Sequence, residues 1–171
     1  MTTSVILNAM SAGIIFIFSN TVMPALATLK SSEGIVIMNE INTIIVNPLF
    51  LLAFFGGLVS AFPAYKMWMN AGEYCDAARY YAIATTAVAF FGNFMVTGTQ
   101  NVPMNNHLLK LDPTSDEGAV YWRNTYLTSW VAWNTTRGVF EILAAFLGAL
   151  SLKYMSKNKK TTLSKKGEAC V

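Results

Sequence analysis

The sequence has few charged residues, one histidine and two cysteines, and these shortages exclude several classes of protein. Charged residues make up 12% of the chain, whereas a soluble globular domain has about 25%. His107 has no second histidine with which to hold a haem or a metal ion, and the spacing of Cys75 and Cys170 suggests no metal site or disulfide framework. The chain also lacks a glycine-rich phosphate loop, a nucleophile motif and any nucleic-acid-binding pattern. We therefore expect no metal, no bound cofactor and no nucleic-acid partner.

Hydrophobic residues dominate instead, at 54% of the chain with a mean hydropathy of +0.42. A helix needs about 20 mostly apolar residues to cross a bilayer. Four stretches meet this requirement, roughly 5–29, 48–69, 77–99 and 128–152. No Lys or Arg precedes the first stretch, so we expect it to be a retained span and not a cleaved signal. The sequence thus predicts an all-α integral membrane protein built as a four-helix bundle.

The stretches 30–47 and 100–127 predict short helical inserts between the spans. Within the second, the motif TSDE is typical of a capping box with Thr114 as the N-cap, and predicts a helix that continues into the last span. The lysine-rich tail places the C-terminus, and with four spans also the N-terminus, in the cytoplasm. Both inserts would then cap the non-cytoplasmic face. We expect one transmembrane domain, 1–155, followed by a basic, disordered cytoplasmic tail, 156–171.

The fourth span carries polar residues that are costly in lipid. At about 100° per residue, one side of this helix holds Trp130, Trp133, Asn134, Arg137 and Glu141. An ionisable residue at the centre of a span costs roughly 2.5 to 3.5 kcal/mol, so this side should face the protein interior or a wet cavity. Further polar residues come from the two inserts, namely Asn39, Asn42, Asn101, Asn105 and His107. We expect these groups to converge under the cap.

The same features have structural interpretations. Arg137 and Glu141 are four residues apart and suitably spaced to neutralise each other as an ion pair, and two tryptophans are typical of an interfacial anchor. Asparagines near helix ends are often caps. The inner halves of the spans are almost wholly apolar, which argues against an ion or solute pathway. The residues alone leave open whether the constellation binds a ligand or only joins helices.

Four motifs, in order, make the chain resemble a known family. They are F-S…P-A-L from Phe18, M-N-E-I-N…N-P-L-F from Met38, N-V-P-M-N-N-H-L from Asn101 and W-x-x-W-N-T-T-R from Trp130. The set is similar to that of the anthrone oxygenase family, small four-span membrane proteins of which many are known only as a domain of unknown function. The resemblance extends from about Gly13 to Tyr154. Its pattern falls on Asn42, Pro48, Pro103, Asn105, Trp133, Asn134 and Arg137, and includes neither His107 nor Glu141.

The resemblance implies an oxygenase, because the family's fungal members oxidise an anthrone to an anthraquinone. We expect such an enzyme to work without a cofactor, with a base, donors for an oxyanion and a flat slot for aromatic rings. The candidate catalytic residues are Arg137, Asn134 and Asn105 as donors, with Glu141 or His107 as the base. The candidate substrate-binding residues are Trp130, Trp133, Asn42, Asn39 and Asn101. The expected partners are membrane lipid and a hydrophobic aromatic molecule.

The alternative is a membrane protein without catalytic activity, which binds a lipid or a quinone-like ligand or scaffolds partners. In that case Arg137 would bind a head group or pair with Glu141. The sequence leaves the substrate and the oligomeric state open.

Overall fold

The computed structural model describes the backbone of residues 1–164 and the side chains of 1–155, and this part of the chain is helical without a strand. The helices are α1 (Thr2–Ala27), α2 (Ser31–Ile44), α3 (Pro48–Phe55), α4 (Ala61–Met69), α5 (Asp76–Lys110) and α6 (Asp116–Met155). The all-α prediction is confirmed. The backbone of α6 continues as a helix to Ser164. The side chains of the predicted tail, 156–171, and the backbone of 165–171 lie outside the described residues.

Three helices, α1, α5 and α6, are long and apolar enough to cross a membrane, as judged by length and composition. The pair α2 and α3 meets the same test only as a unit, and it bends by 78° between its halves. Large apolar side chains such as Phe16, Phe62, Phe91 and Phe146 are exposed on the outer surface, which suits contact with lipid. The chain is therefore a membrane protein, while the fourth crossing stays a prediction.

The predicted second span, 48–69, is not one continuous helix. It is divided into α3, a 3-10 turn at Leu58–Ser60 and α4. The break follows Gly56 and Gly57, where neighbouring helices come close to the backbone. A Cβ at Gly56 would lie 2.1 Å from the Cβ of Leu7 on α1, and one at Gly57 would lie 2.6 Å from a Cβ on α5. Only glycine fits at these two positions without displacing α1 or α5.

Side-chain caps determine where two of the helices begin. The Oδ1 of Asn47 accepts hydrogen bonds from the backbone N–H groups of Leu49 and Phe50 in the first turn of α3, at 3.1 and 3.0 Å. Helix α6 is capped by Ser115, whose Oγ accepts from the N–H of Gly118 at 3.0 Å. The prediction of Thr114 as the cap is wrong by one residue, because its N–H and hydroxyl donate to Asp112 instead. The predicted continuation of this helix into the last span is confirmed.

Helix α6 packs antiparallel to α1 and α5. Near the end of α6, Gly148 faces Val5 at the start of α1, and Ser151 donates a hydrogen bond of 2.8 Å to the carbonyl of Ala78 at the start of α5. We call this the terminal end of the bundle, and the opposite end, where α2 lies, the cap end. The start of α1 and the end of α6 thus share one end of the bundle, as predicted, although its cytoplasmic orientation stays a prediction.

A buried core joins the helices at the cap end. Its members are Met23, Leu26, Ile35, Met38, Leu108, Trp122, Tyr126 and Trp130. They come from α1, α2, α5 and α6, so α2 and the outer turns of α5 and α6 are packed as one layer. The predicted inserts therefore do cover one end of the bundle.

Candidate functional site

A cavity of about 230 Å³ lies beneath this covering layer, between α1, α2, α3, α5 and α6. Its lining is mostly apolar and includes four aromatic rings, those of Phe18, Phe50, Phe54 and Trp130. Besides the indole N–H of Trp130, the polar groups of the lining belong to Asn42, Thr97, Asn101, Asn105, Asn134 and Arg137. An apolar cavity with a few convergent polar groups is the usual form of a small-molecule site.

The three long helices depart from α-helical geometry around this cavity. π-Helical segments occupy Phe18–Val22 in α1, Ala89–Met95 and Thr97–Asn101 in α5, and Trp122–Trp130 in α6. Well under 1% of residues in globular proteins are π-helical, and such segments are frequent at functional sites. Four cavity residues, Phe18, Thr97, Asn101 and Trp130, lie in these segments.

Arg137 is 8% exposed and is held by neutral hydrogen-bond partners. Its Nη1 donates to the hydroxyl of Thr97 at 2.7 Å, and its Nη2 donates to the Oδ1 of Asn134 at 2.5 Å. The amide nitrogen of Asn134 donates to the carbonyl of Ile15 at 3.0 Å and to the hydroxyl of Ser19 at 2.8 Å. These bonds join α6 to α1 and α5. The Nε of Arg137 is buried without a hydrogen-bond partner.

Glu141 lies one turn along α6 from Arg137 and is completely buried. Its Oε1 accepts hydrogen bonds from the hydroxyl of Ser11 at 3.4 Å and from the side-chain amide of Asn93. Its Oε2 has no partner. No nitrogen of Arg137 lies within 4.0 Å of a Glu141 oxygen, so the ion pair that their spacing suggested is not formed.

Asn105 joins three side chains at the cap end of the cavity. Its Oδ1 accepts from the hydroxyl of Tyr126 at 2.7 Å and from the Nε1 of Trp130 at 2.6 Å, and its nitrogen donates to Asn42 at 3.0 Å. Tyr126 stacks between Trp122 and Trp130, with centroid distances of 5.3 and 5.5 Å. Sequence reasoning missed Tyr126, although aromatic residues at a repeated spacing of four were a signal for this stack.

Asn101 lines the cavity and is held by a hydrogen bond to α6. Its amide nitrogen donates to the carbonyl of Trp130 at 3.1 Å, while its Oδ1 is buried without a partner. Asn101 and Arg137 thus each keep one buried polar atom unsatisfied. A group in that condition costs about 1–3 kcal/mol of stability.

Six of the predicted site residues line the cavity together, namely Arg137, Asn134, Asn105, Trp130, Asn42 and Asn101. The other four do not. Glu141 is buried below the cavity, and Asn39 lies on α2 outside the lining. Trp133 is 38% exposed, so of the two tryptophans expected to line a flat slot only Trp130 lies at the cavity. His107 is exposed and packs against the ring of Tyr121 at 4.5 Å. Neither predicted base therefore lines the cavity.

Among the described residues, no group of three or more His, Cys, Asp or Glu side chains is arranged to hold a metal ion. The donors at the cavity are amides, a hydroxyl, an indole and a guanidinium. This set suits hydrogen bonding to the oxygen atoms of an organic ligand.

Comparison with known proteins relates this site to a family. The family model of anthrone oxygenase matches residues 38–147, almost two thirds of the chain. This range includes every polar residue that lines the cavity. No curated protein and no solved structure matches the chain. The chain belongs to the anthrone oxygenase family.

Proposed function

We propose that this protein is an oxygenase, which binds an aromatic ketone or phenol of the anthrone class in the cavity and promotes its reaction with O₂. Family membership supports the class of reaction. The observation that carries the proposal is the buried guanidinium of Arg137, which lines the cavity together with aromatic rings and side-chain amides. A planar ligand would stack on the rings and place an oxygen atom against Arg137.

In the proposed reaction, one anthrone and one O₂ give one anthraquinone and one water. The CH₂ group between the rings loses a proton to water, and the resulting negative charge spreads onto the carbonyl oxygen. The carbon then bonds to O₂, and a proton taken back from water gives a hydroperoxide. Loss of the second C–H proton breaks the O–O bond, forms the new carbonyl and releases water. The carbon loses four electrons and O₂ gains four, so the substrate supplies every electron.

Arg137 would act where the negative charge forms. Its guanidinium is already held by Thr97 and Asn134, so it needs little reorganisation as the anion develops. Donors fixed in this way stabilise an oxyanion more strongly in a low-dielectric site than in water. Removal of one such donor typically lowers kcat by about 10²–10³-fold.

Quinone formation by purified protein in detergent tests this role. Arg137→Met should lower the rate about 100-fold after subtraction of the oxidation that occurs without protein. Arg123→Met is the matched control, because Arg123 is an exposed arginine of the same helix, and it should leave the rate unchanged. A thermal-unfolding measurement should first show that both variants are folded. Equal rates for the two folded variants would then overturn the role assigned to Arg137.

A second candidate function is binding of a lipid or quinone-like ligand without catalysis. One observation favours it: no carboxylate and no histidine lines the cavity, so the lining itself offers no ordinary base. In an oxygenase, Glu141→Gln should lower turnover while ligand affinity is retained, because Glu141 is the buried carboxyl one turn from Arg137. If the protein only binds a ligand, neither the wild type nor any variant should form quinone. Mass spectrometry of the purified protein should then identify a retained ligand.

We also propose that the terminal end faces the cytoplasm. Lys66, Arg79 and Lys153 lie near this end of their helices, and cytoplasmic flanks are enriched in Lys and Arg. A reporter that is active only in the cytoplasm should be active when it is fused after Val171. Activity of a reporter that works only outside the cytoplasm, fused at the same position, would reverse the orientation.

A further inference from the structure

Buried polar side chains continue from the cavity towards the terminal end along α1. Ser4, Asn8 and Ser11 are spaced four and three residues apart, which places them on one face of this helix. Each is at most 3% exposed. Ser11 donates a hydrogen bond to Glu141. At 1.5 Å per residue, the line formed by these three side chains extends about 10 Å along α1 from Ser11 to Ser4. The expectation of an apolar inner half is therefore wrong on this face.

Several polar atoms on this line have no hydrogen-bond partner in the protein. They are the hydroxyl of Ser4, both amide atoms of Asn8 and the Oε2 of Glu141. A buried polar group without a partner destabilises the fold. Buried water, which typically makes about three hydrogen bonds, is the usual partner for such groups. The backbone of Gly57 comes close to Asn8, since a Cβ there would lie 2.8 Å from its Oδ1.

We propose that Ser4, Asn8 and Ser11 hold a chain of water molecules through which Glu141 exchanges protons with the terminal end of the bundle. A proton that arrives along the chain binds to a carboxylate oxygen of Glu141. The neutral carboxyl group returns it by the same route, so only O–H bonds form and break.

Hydrogen bonds also link Glu141 to the cavity. The amide of Asn93 donates to Glu141, Thr97 donates to the backbone carbonyl of Asn93 at 2.7 Å, and Arg137 donates to Thr97. A carboxylate that gains a proton would balance the charge of an anion that forms beside Arg137, and the water chain would supply that proton. This holds whether the ligand is oxidised or only bound, so the inference goes beyond the proposed function.

Deuterium exchange at Glu141 tests the inference. Protein in a lipid film is brought to a pH at which a protonated carboxyl band appears in the infrared, and the band is assigned by its loss in Glu141→Gln. The buffer is then changed to D₂O. Exchange should be at least about tenfold slower in Asn8→Leu than in the wild type, because leucine removes hydrogen-bond partners of the water. Ser4→Val, a second and smaller change, should slow exchange as well.

Asn20→Leu is the matched control, since Asn20 is an exposed asparagine of the same helix at the cap end. It should exchange as fast as the wild type. Equal rates in the wild type, Asn8→Leu and Ser4→Val would overturn the proposal, and so would the absence of a Glu141 band at every pH that the fold survives. The assay uses no substrate, so its outcome is separate from that of the oxygenase proposal.

Discussion

Replacement of Asn105 by leucine should strongly destabilise the cap end of the cavity. The Oδ1 of Asn105 accepts from Tyr126 at 2.7 Å and from the indole of Trp130 at 2.6 Å. Leucine has a similar size but no acceptor, so both donors would remain buried and unpaired. Each unsatisfied donor costs about 1–3 kcal/mol, and the two together should lower the free energy of unfolding by about 2–6 kcal/mol.

Thermal unfolding in detergent, followed by tryptophan fluorescence, measures this loss. For a domain of about 150–250 residues, 1 kcal/mol shifts Tm by about 2–4 °C, so Asn105→Leu should lower Tm by at least about 4 °C. Asn106→Leu is the control, because Asn106 is the exposed neighbour and its replacement should change stability by less than about 0.5 kcal/mol. If Asn105→Leu is no more destabilising than Asn106→Leu, the network does not stabilise the cap end.

Two further predictions concern helix packing and pH. Gly92→Ala should destabilise the protein by about 1–3 kcal/mol, because a Cβ at this position would lie 2.2 Å from the Cγ of Phe140. Gly98→Ala is the control and should be neutral or stabilising, because a Cβ there would have nothing within 4 Å. Equal unfolding temperatures for the two variants would contradict the packing of α5 against α6. In the turn between α5 and α6, the backbone N–H and then the hydroxyl of Thr114 lower the pKa of Asp112. The hydrogen bonds from Thr114 stabilise the turn above the carboxyl's ordinary pKa of about 3.9, and this stabilisation is lost as pH falls through the lowered pKa. The protection of the Thr114 amide from hydrogen exchange, relative to an unstructured amide at the same pH, should therefore decrease there, and Asp112→Ala should remove this dependence.

The general plan of the molecule follows from the sequence. Long apolar runs predict the helices, because only apolar side chains are stable against lipid. For the same reason, the polar face of the last span had to turn inwards, and Arg137 and Asn134 do line the cavity. The motif positions Asn42 and Asn105 meet there as well, although they are 63 residues apart in the chain.

The remaining details depend on contacts that helical spacing does not determine. A spacing of four predicted that Glu141 meets Arg137, but its hydrogen-bond partner Ser11 comes from another helix, 130 residues away in the chain. Trp133 lies at the edge of the polar face, just after a π-helical segment whose i→i+5 bonds change the angle between successive residues, and it is exposed. Short polar residues such as Asn8 barely alter the hydropathy of an apolar run, so the buried line on α1 was not predicted.

Equilibrium dialysis of a stable anthraquinone against the purified protein tests most directly the claim that this cavity is a ligand site. We expect saturable binding of one ligand per chain. Leu51 lines the cavity and Leu52 beside it is 57% exposed, so Leu51→Trp should fill the cavity and abolish binding, while Leu52→Trp should bind as the wild type does. Binding that is unchanged in Leu51→Trp, or absent from the wild type, would contradict the claim.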